Sequence, residues 1–229
     1  MFDGQFRNQI EAGLRPVGNS LRKTGVTADM ITCVGLVMSV AAAVAIGAGA
    51  LRLGLLLLVL TGLPDLLDGA VAKASGQASV RGAFFDSVTD RLTDGLLFGA
   101  VAYYLAADGR PAWQVVLPVA GYVSASLVSY IRAKADALGF DARGGLVERA
   151  ERFILLGLGL LFDPLLVPVM GLIVVLNMVT AGQRFVKVWR QATAQTPALS
   201  DRRRRRAARR TPRPRRAGRS TLRRPGGPS

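Results

Sequence analysis

Six apolar stretches, at residues 29–49, 51–72, 84–107, 111–136, 148–162 and 164–190, divide most of the 229-residue chain into segments near the length of a bilayer crossing. A hydrocarbon core of ~30 Å takes about 20 helical residues, and only a structure that satisfies its backbone hydrogen bonds internally is stable there. The pattern predicts an all-α integral membrane protein with six transmembrane helices. Half of the residues are hydrophobic and the mean hydropathy is +0.32, which excludes a disordered chain and argues against an ordinary water-soluble domain. The fifth stretch is short and begins among charges, so it crosses only if that beginning lies at membrane depth inside the bundle. Asp163-Pro164 then forms the turn into the sixth.

No histidine occurs, and the single cysteine, Cys33, lies in an apolar run. An intramolecular disulfide, zinc fingers, a histidine-based triad and histidine-ligated haem are thereby excluded. Any chemistry rests on carboxylates, arginines, lysines and hydroxyls.

The net charge of +15 is concentrated at one end. Residues 201–229 hold thirteen Arg and one Asp, leaving seventeen basic against fourteen acidic residues in 1–200. In the six-helix scheme, four Lys or Arg fall in 1–28, two in 73–83, five in 132–152 and sixteen from Arg184 onward, against Arg52 and Arg110 on the other side. The positive-inside tendency therefore places both termini in the cytoplasm, at the cell's inner membrane. Phe2, Phe6, Ile10, Leu14, Val17 and Leu21 recur at helical spacing against Arg7, Asn8, Glu11, Arg15 and Arg22, without the shape of a signal peptide. Residues 1–27 are expected to form an amphipathic helix on the membrane surface, or else a soluble helix packed on the ends of the bundle. Residues 193–229, rich in Arg, Pro, Gly, Ser and Thr, are expected to be a disordered tail attracted to an anionic lipid bilayer, a better match than nucleic acid.

Four aspartates mark the informative segment. Asp65 and Asp68 are spaced i, i+3, and Asp86 and Asp90 i, i+4, so each pair projects from one helix face. Two facing pairs make a four-carboxylate cluster, which at membrane depth requires a neutralising cation. Hard oxygen ligands without His or Cys select Mg²⁺, Mn²⁺ or Ca²⁺. The alternative is carboxylates solvated at helix ends or paired with Lys73, Arg81 and Arg91. Gly69 and Gly82, beside the aspartates, allow a bulky polar ligand or a neighbouring helix to come close.

The segment runs Asp65-x2-Asp68-Gly69-x2-Ala72-Lys73-x8-Gly82-x3-Asp86-x3-Asp90 and resembles the signature of the CDP-alcohol phosphatidyltransferases. Seven of eight fixed positions agree over 26 residues, with Lys73 standing where the family has Arg. That exchange keeps the charge but loses bidentate donation to a phosphate. The resemblance implies a six-helix membrane enzyme, usually a homodimer, that displaces CMP from a CDP-linked lipid with an alcohol nucleophile. It implies Mg²⁺ or Mn²⁺, two ions per active site, held by Asp65, Asp68, Asp86 and Asp90. It also implies that Asp90 takes the proton of the attacking hydroxyl. The element T-A-D-M-I-T at 27–32 resembles the family's T-P-N/D-x-x-T, which implies that Ala28, Asp29, Met30 and Ile31 border the CDP group of CDP-diacylglycerol, with Gly69, Lys73 and Ser79 completing its contacts. Thr27 or Asp29 can also serve simply as a helix N-cap.

Ser129, Arg132, Lys134, Arg149 and Arg152 lie at the expected ends of helices four and five, and Arg184 at the end of helix six. Arginines converging beside aspartates suit an acceptor that carries its own phosphate better than a neutral one. Positive-inside anchoring on lipid headgroups is the competing explanation. The stretch S-Y-I-R-A-K-A-D-A-L-G through G-G-L-V-E-R-A-E-R, at 129–152, resembles that of the actinobacterial phosphatidylinositol phosphate synthases, and the similarity runs from about residue 20 to 190. This implies an inositol phosphate acceptor, 1D-myo-inositol 3-phosphate, with Ser129, Arg132, Arg152 and Arg184 as its contacts. Phosphatidylglycerophosphate synthase, with glycerol 3-phosphate as acceptor, shares the motif. A cation-binding membrane transport or scaffold protein is the alternative outside enzymes, disfavoured by the absence of an internal repeat.

Overall fold

The structure, a computed structural model, describes residues 28–62 and 80–210. The expected amphipathic helix at 1–27, the residues Asp65, Asp68, Gly69, Lys73 and Ser79, and the tail beyond Arg210 lie outside the described residues. Among the described residues the fold is all-helical: α1 is Ala28–Gly47, α2 Leu51–Gly62, α3 Val80–Ala107, α4 Ala112–Ala137, α5 Arg149–Leu161 and α6 Asp163–Arg210. The chain divides between Val188 and Trp189 into two compact units, and the core and cavity belong to the first.

Among the described residues, three segments are long and apolar enough to cross a membrane: Asp29–Gly47, Ala112–Ala137 and Asp163–Ala194. Helix α3 has the length, at 28 residues, but Arg81, Asp86, Asp90, Arg91 and Asp94 fill its first half with charge. Helix α5 has only 13 residues, about 20 Å at 1.5 Å per residue, which is shorter than a ~30 Å core. Where composition predicts a disordered tail from residue 193, α6 instead continues to Arg210. Arg, Ala and Gln are strong helix formers whose local hydrogen bonds need no core.

The core follows helical periodicity. Leu97, Phe98, Val101 and Leu105 of α3 meet Ala42 and Ile46 of α1, Leu156 and Leu160 of α5, and Leu166, Met170 and Ile173 of α6. Helix α1 packs on α3 and α3 on α4. A Cβ at Gly121 of α4 would lie 2.9 Å from the Phe98 ring, so the missing side chain is what lets α3 and α4 approach. Val34, Val37, Val44, Leu56, Val123 and Val175 point outward and are largely exposed. Ser124, Asn177, Thr180, Asp94, Arg152 and Arg184 are buried. Apolar outside and polar inside is the arrangement of a bundle with an apolar surrounding. Inside it, Asn177 Nδ2 donates to Ser124 Oγ at 3.1 Å and ties α6 to α4.

The α4–α5 connection is held down on α6. The Val147 backbone N–H donates to Thr180 Oγ1 (3.2 Å), Arg184 Nε to the Gly144 carbonyl (2.9 Å) and Lys187 Nζ to the Arg143 carbonyl (2.9 Å) and Asp141 Oδ2 (2.7 Å). The Lys187 ammonium and the Arg143 N–H hold the Asp141 carboxyl below the ordinary carboxylate range. Gly145, with φ +139, runs so close to α6 that a Cβ would lie 2.4 Å from Thr180 Cγ2. Gly145→Ala is therefore expected to cost about 2 kcal/mol or more and to lower Tm in detergent by several degrees. Gly182→Ala, whose Cβ meets nothing within 4 Å, is expected to leave Tm unchanged; equal Tm values for the two variants would contradict this packing.

Candidate active site

A cavity of about 1000 Å³ opens among α2, α3, α4, α5 and the Arg184 turn of α6. Three kinds of surface line it. Asp86 and Asp90 of α3 form an acidic wall. Arg132 of α4, Arg149 and Arg152 of α5 and Arg184 of α6 form a basic one, with Ser129 among them. Leu55, Leu58 and Val59 of α2 and Phe153, Leu158 and Leu161 of α5 form an apolar flank. A site with these surfaces can hold metal-complexed phosphates at one end and aliphatic chain at the other.

The two charged walls are joined. Arg149 Nη1 lies 2.6 Å from Asp90 Oδ1, its Nε lies 3.6 Å from Asp94 Oδ1, and its guanidinium stacks 4.8 Å from the centre of the Phe153 ring. Arg152 Nη2 donates to Asp94 Oδ2 at 3.3 Å, with Asp94 1% and Arg152 2% exposed. Removing either partner of such a buried pair costs about 3–5 kcal/mol, because the remaining charge is left uncompensated. Arg152 Nε is buried and has no hydrogen-bond partner among the described residues. It is a donor in the cavity wall left for an acceptor atom. The arginines are positioned from the start of α5, where the Glu148 N–H donates to Glu151 Oε2 (3.0 Å) in a capping box.

Arg184 spends its donors differently from the sequence expectation. Besides Gly144 it donates through Nη1 to the Val128 carbonyl at 3.1 Å, and Nη2 lies 3.7 Å from Glu148 Oε1. It is a clasp between α4, the α4–α5 connection and α6 as well as a residue of the cavity wall. Ser129 Oγ donates to the Ala125 carbonyl at 3.1 Å, which leaves its lone pairs available. Arg132 is exposed and makes no ion pair among the described residues.

Of the residues singled out in the sequence, Asp86, Asp90, Ser129, Arg132, Arg152 and Arg184 come together around this cavity. Asp29, Met30 and Ile31 do not line it. Asp29 pairs with Arg81 at 3.3 Å on the exposed starts of α1 and α3, Met30 is exposed and Ile31 is buried. Asp94 was not legible from the family signature, which stops at Asp90. The signal was present as a third aspartate at the same four-residue spacing. Asp86 and Asp90 offer hard oxygen ligands from one helix face, a donor set that fits Mg²⁺ or Mn²⁺. No three carboxylates converge among the described residues, so a complete cation site needs ligands from outside them.

Comparison with known proteins agrees with this geometry. The family model for CDP-alcohol phosphatidyltransferase matches residues 25–189. The phosphatidylinositol phosphate synthase of Mycobacterium marinum is 34% identical over 183 residues, covering 76% of this chain and 78% of that protein. The archaetidylinositol phosphate synthase of Methanothermobacter thermautotrophicus is 32% identical over 192 residues, covering 82% and 94%. The crystal structure of Mycobacterium tuberculosis phosphatidylinositol phosphate synthase with CDP-DAG bound superimposes with a TM-score of 0.72 at 33% identity, covering 76% of this chain and 92% of that one. The structure of the same enzyme with manganese and citrate gives 0.72 at 32% identity, covering 76% and 88%. With its signature, its helical bundle and its matched length in agreement, the chain belongs to the CDP-alcohol phosphatidyltransferase family of enzymes.

Proposed function

We propose that this enzyme transfers the phosphatidyl group of CDP-diacylglycerol to 1D-myo-inositol 3-phosphate, giving phosphatidylinositol phosphate and CMP. The observation that carries the acceptor assignment is the basic wall facing Asp86 and Asp90 across one cavity, with buried Arg152 keeping its Nε for a ligand. A neutral acceptor gives such a wall nothing to bind. The names of the mycobacterial and archaeal relatives, phosphatidylinositol phosphate synthase and archaetidylinositol phosphate synthase, support the same choice.

In this scheme Asp65, Asp68, Asp86 and Asp90 hold two divalent cations, a choice supported by the manganese bound to the M. tuberculosis enzyme. Ions held there would take up negative charge on the diphosphate, including its leaving oxygen, and on the attacking hydroxyl oxygen of the acceptor. Ser129, Arg132, Arg152 and Arg184 hold the acceptor's phosphate and fix the orientation of its ring. Asp90 takes the proton of the attacking inositol hydroxyl as that oxygen bonds to the lipid-side phosphorus and the bond to the CMP oxygen breaks. The apolar flank from α2 and α5 accommodates the diacylglycerol part. Gly69, Lys73 and Ser79 border the diphosphate, and Ala28, Asp29, Met30 and Ile31 at the start of α1, outside the cavity, meet the cytidine end.

The same reading takes the chain as a homodimer of six-crossing subunits in the cell's inner membrane, with the site and both termini cytoplasmic. Residues 1–27 lie on the membrane surface and the arginine-rich end meets anionic lipid. The 14 to 2 excess of Lys and Arg on one side, counted without the tail, supports this orientation.

CMP release from CDP-diacylglycerol with Mg²⁺ or Mn²⁺ is expected with inositol phosphate and not with free inositol or serine. Release with glycerol 3-phosphate alone would move the acceptor assignment to phosphatidylglycerophosphate synthesis, and release with no acceptor would remove the catalytic scheme. Asp90→Asn is expected to cut kcat by at least ~100-fold, the usual worth of a general base, while CDP-diacylglycerol binding stays within a few-fold. Activity persisting within tenfold would exclude Asp90 as the base.

A further inference from the structure

We propose that Asp94 is a positioning residue that sets the affinity for the phosphorylated acceptor, acting through Arg152 and Arg149 without touching substrate. The inference rests on the acceptor assignment above. Asp86, Asp90 and Asp94 follow one another at four-residue spacing on α3, but only the first two line the cavity. Asp94 lies behind the wall, 1% exposed. Its Oδ2 accepts from Arg152 Nη2 at 3.3 Å and its Oδ1 faces Arg149 Nε at 3.6 Å. One carboxylate of α3 thus stands behind two guanidinium groups of α5 that are a single helical turn apart.

Two arginines so placed repel each other, and long side chains respond by reaching for water. Asp94 removes the need. It compensates Arg152 through Nη2 and holds the guanidinium at the cavity wall, with Nε free of any hydrogen-bond partner among the described residues, so that the incoming phosphate meets a side chain already in place. Arg149 is held between Asp94 and Asp90, so the same carboxylate fixes the spacing between the basic wall and the acidic one. Preorganisation of this kind lowers the cost of ordering the site when the acceptor binds.

Two physical effects of Asp94→Asn have opposite signs, which makes the proposal decidable. Removing a negative charge near a phosphate site tightens phosphate binding if simple Coulomb attraction dominates. Losing the anchor loosens it if positioning dominates, and an Asn amide also turns an N–H₂ group toward guanidinium donors. Positioning is expected to win: the apparent KM for inositol phosphate rises about tenfold or more, while kcat and the KM for CDP-diacylglycerol stay within about threefold. An acceptor KM that falls or stays put overturns the proposal, whatever happens to Tm or yield. A loss of kcat with the acceptor KM unchanged overturns it too, by assigning Asp94 to Asp90 instead.

The route through Arg152 is tested in the Arg152→Gln background, where adding Asp94→Asn is expected to change the acceptor KM by less than about threefold, as coupled neighbours do. A further tenfold rise there overturns the route. If Asp94→Asn alone fails to accumulate, Asp94→Glu, which keeps the charge but displaces the carboxylate, takes its place: a rise in the acceptor KM is expected, and an unchanged KM overturns the proposal. Wild-type enzyme inert toward inositol phosphate overturns the acceptor assignment instead. The same comparison then runs with glycerol 3-phosphate, and the KM split decides the role of Asp94.

Discussion

Charge inside an apolar bundle has to be neutralised by charge, and the buried contact of Asp94 with Arg152 is where this molecule meets that requirement. Helix α3 carries carboxylates on one stripe through its first half and core residues Leu97, Phe98, Val101 and Leu105 through its second. Helix α5 does the same with Arg149 and Arg152 before Leu156 and Leu160. Apolar packing at one end of each helix therefore brings opposite charges together at the other. The cavity is the space left between stripes that attract each other, which explains why it has an acidic wall, a basic wall and an apolar flank.

The rest of the first unit keeps those stripes in place. Asn177 joins α6 to α4 through Ser124, Thr180 receives the Val147 N–H, and Arg184 closes on Gly144 and Val128. The Asn177–Ser124 contact is buried between two helices, away from bulk water, and the others tie the α4–α5 connection to the bundle. Arg184 shows how structure and ligand binding share one side chain, since its Nε fixes the Gly144 carbonyl of the loop and its Nη1 the Val128 carbonyl of α4 while the residue also lines the cavity.

Much of this was legible in the sequence. The spacing of Asp86 and Asp90 puts both on one face, and the structure has both in the cavity wall. The gathering of Arg132, Arg152 and Arg184 was readable from their places at helix ends. What escaped depends on tertiary detail. A signature ending at Asp90 gives no reason to extend the stripe to Asp94, whose partner is 58 residues away. The shortness of the fifth stretch, read at 148–162, is matched by α5 at Arg149–Leu161, but composition does not reveal that α6 runs to Arg210. Nor does local sequence show Asp29 turned to Arg81, because that pair joins two helix starts far apart in the chain.

The central claim is that one cavity holds metal-bound diphosphate against α3 and the acceptor's phosphate against α4, α5 and α6. The most direct measurement is an experimental structure of the full-length enzyme with Mn²⁺ and inositol phosphate, located by the anomalous signal of the metal. The account predicts manganese on Asp86 and Asp90, and the acceptor's phosphate within hydrogen-bonding distance of Arg152. A phosphate bound elsewhere, with Arg152 contacting only Asp94, would contradict it.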